Sequence, residues 1–353
     1  EPLPASTPVL LVRAGERAAT GGPGRLVLED RSEVDVTHEL PGDLPLGYHR
    51  LERDPDHDLP QTTHVIVWPG RCHLPADLHE WGLAVQLYSV RTRRSWGIGD
   101  LADLRRLVTW ATDRGAGAVA LNPLHAPDPV ADPADSPYSP SSRRWRNPLH
   151  LAVEAVPGLG ELPDAADLVA EGRALNDRPL IDRSASWAVK RRALDQLWQR
   201  FAGSRAFDRY RAEQGVALEN WARYCALVDH HGPGWRSWPE AHRRPDAGGV
   251  ERFAAERPRD VAFWAWLQWL LDEQLRASGA PGTAIADLAV GIDPEGADAW
   301  EWQDLLALDV SIGAPPDELG RDGQVWGLPP FVPWRLRDAG YQPLAQTLRA
   351  VLR

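Results

Sequence analysis

The sequence contains no methionine and only two cysteines in 353 residues. Cys72 and Cys225 lie far apart and fit no metal-binding spacing, so we expect two reduced thiols and no disulfide framework. No run of about 18 apolar residues occurs, and no basic stretch precedes an apolar one near residue 1. These absences argue against a membrane-spanning helix and a secretory signal, and they predict a cytoplasmic protein with no membrane partner.

Several chemical signatures are missing as well. The sequence has no His-Glu-x-x-His, Cys-x-x-Cys or Gly-Lys-Ser/Thr motif. Ser141 and Ser142 lack the strand-turn-helix setting of a nucleophilic serine. The formal net charge of -11 repels a phosphate backbone. We therefore expect no metal, no cofactor and no nucleic-acid partner.

Residues 1–76 have the pattern of an N-terminal β domain. Short runs rich in β-branched residues, separated by Gly, Pro and Asp, predict four strands. These strands are expected at residues 9–12, 25–28, 33–36 and 64–67. Four strands with turn signals between them suggest a small β-sandwich.

From residue 77 the pattern changes to alternating strands and helices. Continuous apolar runs at residues 83–90 and 119–124 predict strands buried on both faces of a parallel sheet. Between them, Asp100 opens a helix, for which we favour a capping role over a catalytic one. A third strand, residues 283–288, follows only after about 160 further residues. Since a crossover needs about a dozen residues, most of that stretch is predicted to be an insertion.

The insertion is predicted to be mainly helical. Residues 184–201 place Trp187, Leu194 and Leu197 close to one face, and residues 207–227 continue in the same way. Residues 261–275 carry a broad apolar stripe, and we expect its tryptophans to lie in the core. The predicted fold is α/β, with barrel segments at 77–160 and 261–353 and a helical lobe at 161–260 between them.

Three segments rich in polar residues, glycine and proline stand out, and the first two follow predicted strands. They are residues 96–101 (Trp-Gly-Ile-Gly-Asp-Leu), residues 136–148 (beginning Ser-Pro-Tyr-Ser-Pro), and residues 313–327 (containing Gly-Ala-Pro-Pro-Asp and Gly-Gln-Val-Trp-Gly). Loops after parallel strands form the substrate face of a (β/α) barrel. The segments resemble the signatures of 4-alpha-glucanotransferases, also called amylomaltases or disproportionating enzymes, from about residue 8 to the last residue.

The resemblance implies a (β/α)8-type barrel of which this chain supplies strands one to three. It also implies transfer of α-1,4-glucan segments between maltooligosaccharides by retaining double displacement, without a cofactor. Residues 44–49 look like the closing hairpin of the N-terminal β domain in actinobacterial-type members. An unpaired third strand would leave an exposed apolar edge.

The resemblance also implies the residues that bind the donor glucan. Tyr138 matches the tyrosine of the Ser-Pro-Tyr motif, whose ring would support the apolar face of a sugar. Asp287 matches the aspartate of a Gly-Asp-Leu-Pro pattern, although Ala286 and Ala289 replace the glycine and the proline. An ion pair or a helix cap is the alternative role for Asp287.

On the acceptor side, Asp317, Gln324 and Trp326 match a loop that binds the incoming glucan, with a core position as the alternative for Trp326. Asn147 is a further candidate for substrate binding, with fixing of the loop as its alternative.

Four other residues are given structural roles. Arg143 and Arg144 are expected mainly to fix the loop, with hydrogen bonding to glucan hydroxyls as the lesser alternative. Asp298 and Trp300 match a family element that we also interpret as structural.

Retaining glycosyl transfer uses two carboxylates about 5–5.5 Å apart. In the family the nucleophilic aspartate lies in an Arg-Ile-Asp-His type motif, which this sequence lacks. Residues 180–183 and 228–231 are superficially similar to the motif. The first segment precedes a predicted helix, however, and the second lies in a predicted loop. We expect the nucleophile and the acid/base beyond Arg353, which leaves the 353-residue chain inactive by itself. The alternatives are a catalytically inactive glucan-binding relative, a truncated fragment, or an interaction module.

Overall fold

The computed structural model describes residues 9–54, 60–72, 79–280, 282–318 and 320–352. The chain forms two structural units. The first contains the described residues up to His79 together with Phe331–Gln346, and the second contains Glu80–Pro330 and the residues from Thr347 onward. The finer division into barrel and lobe segments stays a prediction.

The first unit is built on a five-stranded sheet and a two-stranded ribbon. Its strands are β1 (Val9–Arg13), β2 (Ala18–Ala19), β3 (Gly24–Val27), β4 (Glu33–Val36), β5 (Glu39–Leu40), β6 (Gly47–Glu52) and β7 (Thr62–Trp68). The sheet order is β1-β7-β6-β3-β4, with β1 parallel to β7 and the other pairs antiparallel, while β2 pairs with β5. The predicted sandwich is not confirmed by this arrangement.

Residues 47–49, predicted to belong to a closing hairpin, begin β6, which pairs antiparallel with β7, the next strand along the chain. Leu51 and His49 alternate with exposed or half-buried residues along this strand. His49 is buried, and its Nδ1 accepts a hydrogen bond from the backbone N–H of Glu29 at 3.1 Å. β6 and β7 therefore form a hairpin.

The described part of the second unit contains seven strands. They are β8 (Gly82–Val85), β9 (Ala118–Leu121), β10 (His125–Ala126), β11 (Ser142–Arg146), β12 (Ala284–Ala286), β13 (Ile312–Ala314) and β14 (Gln324–Leu328). The order β12-β9-β8 is parallel, so the three predicted barrel strands pair as expected. β10 pairs with β11 and β13 with β14, both antiparallel.

The parallel sheet is buried on one face only, which corrects the prediction that its strands are buried on both. Leu83, Val119 and Ala284 lie in one row and pack into the core, whereas Ala84 and Ile285 lie in the next row, on the other face. Ile285 is 59% exposed. Successive residues point to opposite faces, and helices cover only one of them in the described part of the chain.

The helices of the second unit alternate with these strands and fill the long insertion. They are α1 (Leu101–Thr112), α2 (Ala165–Ala174), α3 (Arg183–Arg200), α4 (Arg205–His231), α5 (Gly248–Glu256), α6 (Pro258–Ala277) and α7 (Ala297–Glu301). Trp264 and Trp266 of α6 are buried, as predicted. Among the described residues, no helix combines the length and the apolar character needed to cross a membrane.

Two helices, α8 (Pro333–Asp338) and α9 (Gln342–Val351), complete the described chain. The segment at residues 228–231, predicted to lie in a loop, forms the last turn of α4. The Gly- and Pro-rich stretch responsible for that prediction begins only at Gly232, where the helix ends.

The Trp-Gly-Ile-Gly-Asp segment turns sharply into α1. Asp100 caps this helix, accepting hydrogen bonds from the N–H groups of Ala102 (2.9 Å) and Asp103 (3.0 Å), so the capping role is confirmed. A Cβ atom on Gly99 would lie 1.9 Å from the carbonyl oxygen of Leu87. Glycine is therefore required by the close approach of two backbone segments.

Candidate functional site

A cavity of about 420 Å³ runs along β12, from Gly282 before the strand to Asp287 at its carboxyl end, and we call it the strand-end cavity. Its lining also includes Asn122 and His125 after β9, residues of β11, and residues 350–352. Ligands of parallel α/β sheets bind at this end of the strands. The position of the cavity therefore makes it the candidate substrate site.

Two of the predicted site residues contact each other, and one of them, Asp287, lines this cavity. The Tyr138 hydroxyl donates a hydrogen bond to Asp287 Oδ2 at 3.0 Å, although 149 residues separate the two in sequence. This bond raises the pKa of the Tyr138 phenol. Because Tyr138 is 51% exposed, its ring is open to solvent beside a carboxylate. The pair offers an aromatic surface and a hydrogen-bond acceptor to the same ligand.

The loops that carry Tyr138 and Asp287 are joined by backbone hydrogen bonds. The N–H of Asp293 donates to the carbonyl oxygen of Pro140 at 2.8 Å, and that of Asp298 donates to Ser141 at 2.9 Å. Gly296 lies so close to Ser141 that an added Cβ would be 2.6 Å from its Cα atom. The two loops therefore form one continuous support for the site.

A buried ion pair lies under this support. Asp298, which is 0% exposed, accepts hydrogen bonds from Ser142 Oγ at 2.7 Å and from the Arg143 N–H at 2.9 Å. It also pairs with Arg144 at 3.1 Å, and Arg144 pairs with Glu301.

The Arg143 guanidinium donates to the backbone oxygen of Ala289 at 3.2 Å. Trp300 is fully buried. These contacts support the loop-fixing and structural roles predicted for Arg143, Arg144, Asp298 and Trp300.

Asn147 has a structural contact of its own. Its Oδ1 accepts a hydrogen bond from the N–H of Leu149 at 2.9 Å, and its N–H donates to Leu124 at 2.9 Å. The side chain thus fixes the chain just after β11, and glucan binding by Asn147 stays a proposal.

The predicted acceptor residues lie on the hairpin formed by β13 and β14. Asp317 Oδ1 accepts a hydrogen bond from the N–H of Gly320 at 2.6 Å, and Trp326 Nε1 donates to Gln324 Oε1 at 3.0 Å. Trp326 is 42% exposed, so the alternative of a core tryptophan is wrong. The contact that joins predicted site residues from distant segments is the one between Tyr138 and Asp287.

The two imitations of the nucleophile motif have structural partners. Asp182 caps α3, accepting a hydrogen bond from Ala185 at 2.8 Å. Asp229 accepts hydrogen bonds from Arg191 at 3.1 Å and from Trp264 Nε1 at 3.0 Å. Both contacts agree with their exclusion as nucleophiles.

Sequence reasoning missed His125 and Lys190. Buried His125 accepts a hydrogen bond at Nε2 from the Ala289 N–H at 3.3 Å. Burial, assisted by the Arg143 charge, lowers the pKa of His125 to about 4, so the ring is neutral. Its position directly after a barrel strand was the available signal.

Lys190 is the one lysine in the sequence, and it is fully buried. Its Nζ donates to the carbonyl oxygens of Leu149 at 2.6 Å and Leu151 at 2.8 Å. Burial lowers the pKa of Lys190 to about 8 against the attraction of Asp100 and Asp103. The signal in the sequence was that this is a lysine, whereas every other strongly basic residue is an arginine.

Asp128 is a buried acid at the base of the Tyr138 loop. Its Oδ1 accepts a hydrogen bond from the Tyr224 hydroxyl at 2.9 Å. Burial raises the pKa of Asp128 to about 6, and the nearby charges of Asp293 and Glu295 act in the same direction. Hydrogen bonds from Ser141 and Tyr224 oppose the rise.

We expect this acid to make the stability of the chain depend on pH. Because the pKa is higher in the folded state, the contribution of Asp128 is complete below about pH 4 and is lost as the pH rises through about 6. Between pH 5 and pH 8, urea denaturation should show the free energy of unfolding of the wild type falling by on the order of 1 kcal/mol relative to that of Asp128→Asn. Asp135→Asn, at a 90% exposed side chain, is the control. Parallel pH profiles of the wild type and Asp128→Asn would contradict this.

Within the described ranges, no group of three or more His, Cys, Asp or Glu side chains could hold a metal ion. The site as described therefore consists of an aromatic ring, carboxylates and amides, supported by buried arginines.

The chain is similar to known glucan-transferring proteins. A family model described as 4-alpha-glucanotransferase matches residues 85–353. The 4-alpha-glucanotransferase of Mycobacterium tuberculosis is 44% identical over 350 residues, which cover 92% of this chain and 48% of the relative. That of Haemophilus influenzae is 33% identical, covering 87% of this chain and 49% of the relative.

Two solved structures are also similar. Amylomaltase from Corynebacterium glutamicum has a TM-score of 0.80 and 30% identity, covering 99% of this chain and 54% of that one. Amylomaltase from Streptococcus agalactiae, solved with acarbose, has a TM-score of 0.65 at 16% identity, covering 77% and 57%, and shows the fold alone. The chain spans about half the length of the curated relatives it matches.

Proposed function

The chain belongs to the 4-alpha-glucanotransferase family, and we propose that it supplies the glucan-binding part of an enzyme that transfers α-1,4-glucan segments between maltooligosaccharides. The reaction is a retaining double displacement that needs no cofactor. The observation that carries the proposal is the contact between Tyr138 and Asp287 at the ends of parallel strands. The names of the relatives do not favour the alternative of an inactive glucan-binding protein.

At the donor side, the Tyr138 ring supports the apolar face of the sugar at the bond to be broken. A pyranose presents C–H groups on its faces and hydroxyls at its edge, so it needs a ring below and polar groups beside it. Asp287 accepts hydrogen bonds from the hydroxyls at that edge. Asn147 fixes the chain after β11 and is the further residue that we propose to contact glucan hydroxyls.

At the acceptor side, the hairpin of β13 and β14 binds the incoming glucan. Trp326 is the exposed aromatic surface, and Gln324 orients it through the hydrogen bond to its indole nitrogen. Asp317 holds the tip of the hairpin through its bond to Gly320.

The three parallel strands are the first three of a (β/α)8 barrel. Their uncovered face and the exposed Ile285 are the surfaces that further barrel strands would cover. The nucleophile and the acid/base are residues other than the carboxylates described above.

Replacing Tyr138 tests the donor site. We expect Tyr138→Ala to weaken maltotetraose binding by the 353-residue chain at least tenfold. An aromatic contact contributes on the order of 1 kcal/mol beyond the free energy gained from burying its surface. Isothermal titration calorimetry measures the affinity. Tyr138→Phe, which keeps the ring but loses the bond to Asp287, should lose less.

The control is Trp110→Ala, which removes another exposed aromatic ring, on α1. It should bind maltotetraose as the wild type does, and all three variants should keep a melting temperature within a few degrees of the wild type. Unchanged binding by a folded Tyr138→Ala variant would remove Tyr138 from the site.

A second experiment tests the chemistry. The 353-residue chain by itself should form no longer maltooligosaccharides from maltotriose, because it lacks the Arg-Ile-Asp-His type motif that carries the nucleophile in the family. Anion-exchange chromatography of the products, with a heat-inactivated sample as reference, provides the measurement. Products longer than maltotriose above that reference would show that the catalytic carboxylates are present in this sequence.

A further inference from the structure

A second cavity lies among α3, α4, α5 and α6, and we call it the lobe cavity. Its volume is about 660 Å³, and it shares no lining residue with the strand-end cavity. We propose that the lobe cavity is a second carbohydrate site that binds a short α-glucan without acting on it. The choice of α-glucan among neutral sugars rests on the proposed function.

The charges around the lobe cavity are balanced. Three arginines and three aspartates line it, namely Arg191, Arg257, Arg259, Asp195, Asp229 and Asp260. An anionic ligand such as a phosphate would meet three carboxylates, and a cation would meet three guanidinium groups. A neutral ligand with many hydroxyls avoids both costs and can bond to donors and acceptors alike. The lining therefore favours a sugar over an ion.

One wall of the lobe cavity is held in place by its own contacts. Arg191 Nε donates to Asp195 Oδ1 at 2.8 Å, and its Nη2 donates to Asp229 Oδ2 at 3.1 Å. The guanidinium lies 4.7 Å from the centre of the Phe263 ring. A polar wall that is already ordered loses little conformational entropy when a ligand binds.

Aromatic rings alternate with these polar groups. Half-buried Trp198 donates from Nε1 to the Arg259 carbonyl oxygen at 3.2 Å, and the Arg259 guanidinium lies 4.8 Å from its ring centre. Phe253 lies against Arg257, whose guanidinium is 5.8 Å from the ring centre. Rings and planar polar groups in a cavity of this size suit the two kinds of surface on a short oligosaccharide.

The test uses the 353-residue chain with Tyr138→Ala, Asp287→Asn and Trp326→Ala, which disable the proposed donor and acceptor sites. Calorimetry with maltotetraose should still detect one binding event. Adding Arg257→Ala and Asp260→Ala, at an exposed ion pair on the rim, should weaken that event at least tenfold. The matched control adds Arg209→Ala and Glu213→Ala, another exposed ion pair, on α4, and should leave the binding unchanged.

Two results would overturn the proposal: loss of all maltotetraose binding in the Tyr138/Asp287/Trp326 variant, or unchanged binding after the Arg257/Asp260 change. Pyrophosphate is the second probe, and tighter binding of pyrophosphate than of maltotetraose at the lobe cavity would also overturn it. Each change is also made singly in the otherwise wild-type chain. If Tyr138→Ala leaves maltotetraose binding unchanged there and the Arg257/Asp260 change abolishes it, the donor-site proposal fails and the lobe site stands. Circular dichroism melting curves confirm that each variant is folded.

Discussion

Replacing Asp298 with alanine should lower the free energy of unfolding by about 3–5 kcal/mol. The carboxylate is 0% exposed and accepts hydrogen bonds from Ser142 Oγ, the Arg143 N–H and Arg144. Its removal leaves buried donors without their acceptor and takes from Arg144 one of its two carboxylate partners. Urea denaturation followed by circular dichroism gives the free energy directly.

The matched control is Asp304→Ala. Asp304 pairs with Arg244, but the side chains are 69% and 46% exposed, and an exposed ion pair contributes only about 0–1 kcal/mol. The Asp298 variant should also lose maltotetraose binding under conditions in which it is partly unfolded. Equal stability of the two variants would show that the ion pair under the loops is not needed for the fold.

Gly99→Ala is expected to have a similarly large effect, lowering the free energy of unfolding by about 3 kcal/mol or more. The added Cβ would lie 1.9 Å from the Leu87 carbonyl oxygen and 2.7 Å from that of Val90. Both are backbone atoms, so no side-chain rotation relieves the overlap. The turn must open, which displaces the N-terminus of α1 and the cap made by Asp100.

Gly160→Ala is the control, because a Cβ at Gly160 would meet no atom within 4 Å. It should change the free energy of unfolding by less than about 1 kcal/mol. Thermal and urea denaturation of both variants provide the comparison. A Gly99 variant as stable as the Gly160 variant would mean that the motif glycine is not required by the turn.

The elements predicted best are those that form because of residues close together in the sequence. Asp100 was predicted to cap a helix because a short acidic residue precedes an apolar period of 3.6, and it caps α1. The tryptophans of α6 follow the same period and are buried. Residues 228–231 were predicted wrongly, because the nearby glycine-rich stretch that begins at Gly232 suggested a loop.

The candidate site was predicted in its parts but not in its assembly. Motifs identified Tyr138, Asp287 and Trp326, yet nothing local indicates that the first two would share a hydrogen bond. His125 and Lys190 gave no motif at all, since each acts by satisfying a backbone group that another segment brings to it. The lobe cavity likewise forms where four helices pack together, and the sequence of no single helix predicts it.

The sequence alone determined the family and most of the element types, because hydrophobic periods, caps and motifs act over a few residues. The tertiary structure alone decided which distant groups meet: Tyr138 with Asp287 across 149 residues, and Asp298 with Arg144 across 154. It also decided that one face of the parallel sheet is covered and the other open. Those contacts depend on how distant segments of the chain pack against one another. The buried charges are tolerated only because this packing places opposite charges and backbone donors within hydrogen-bond distance.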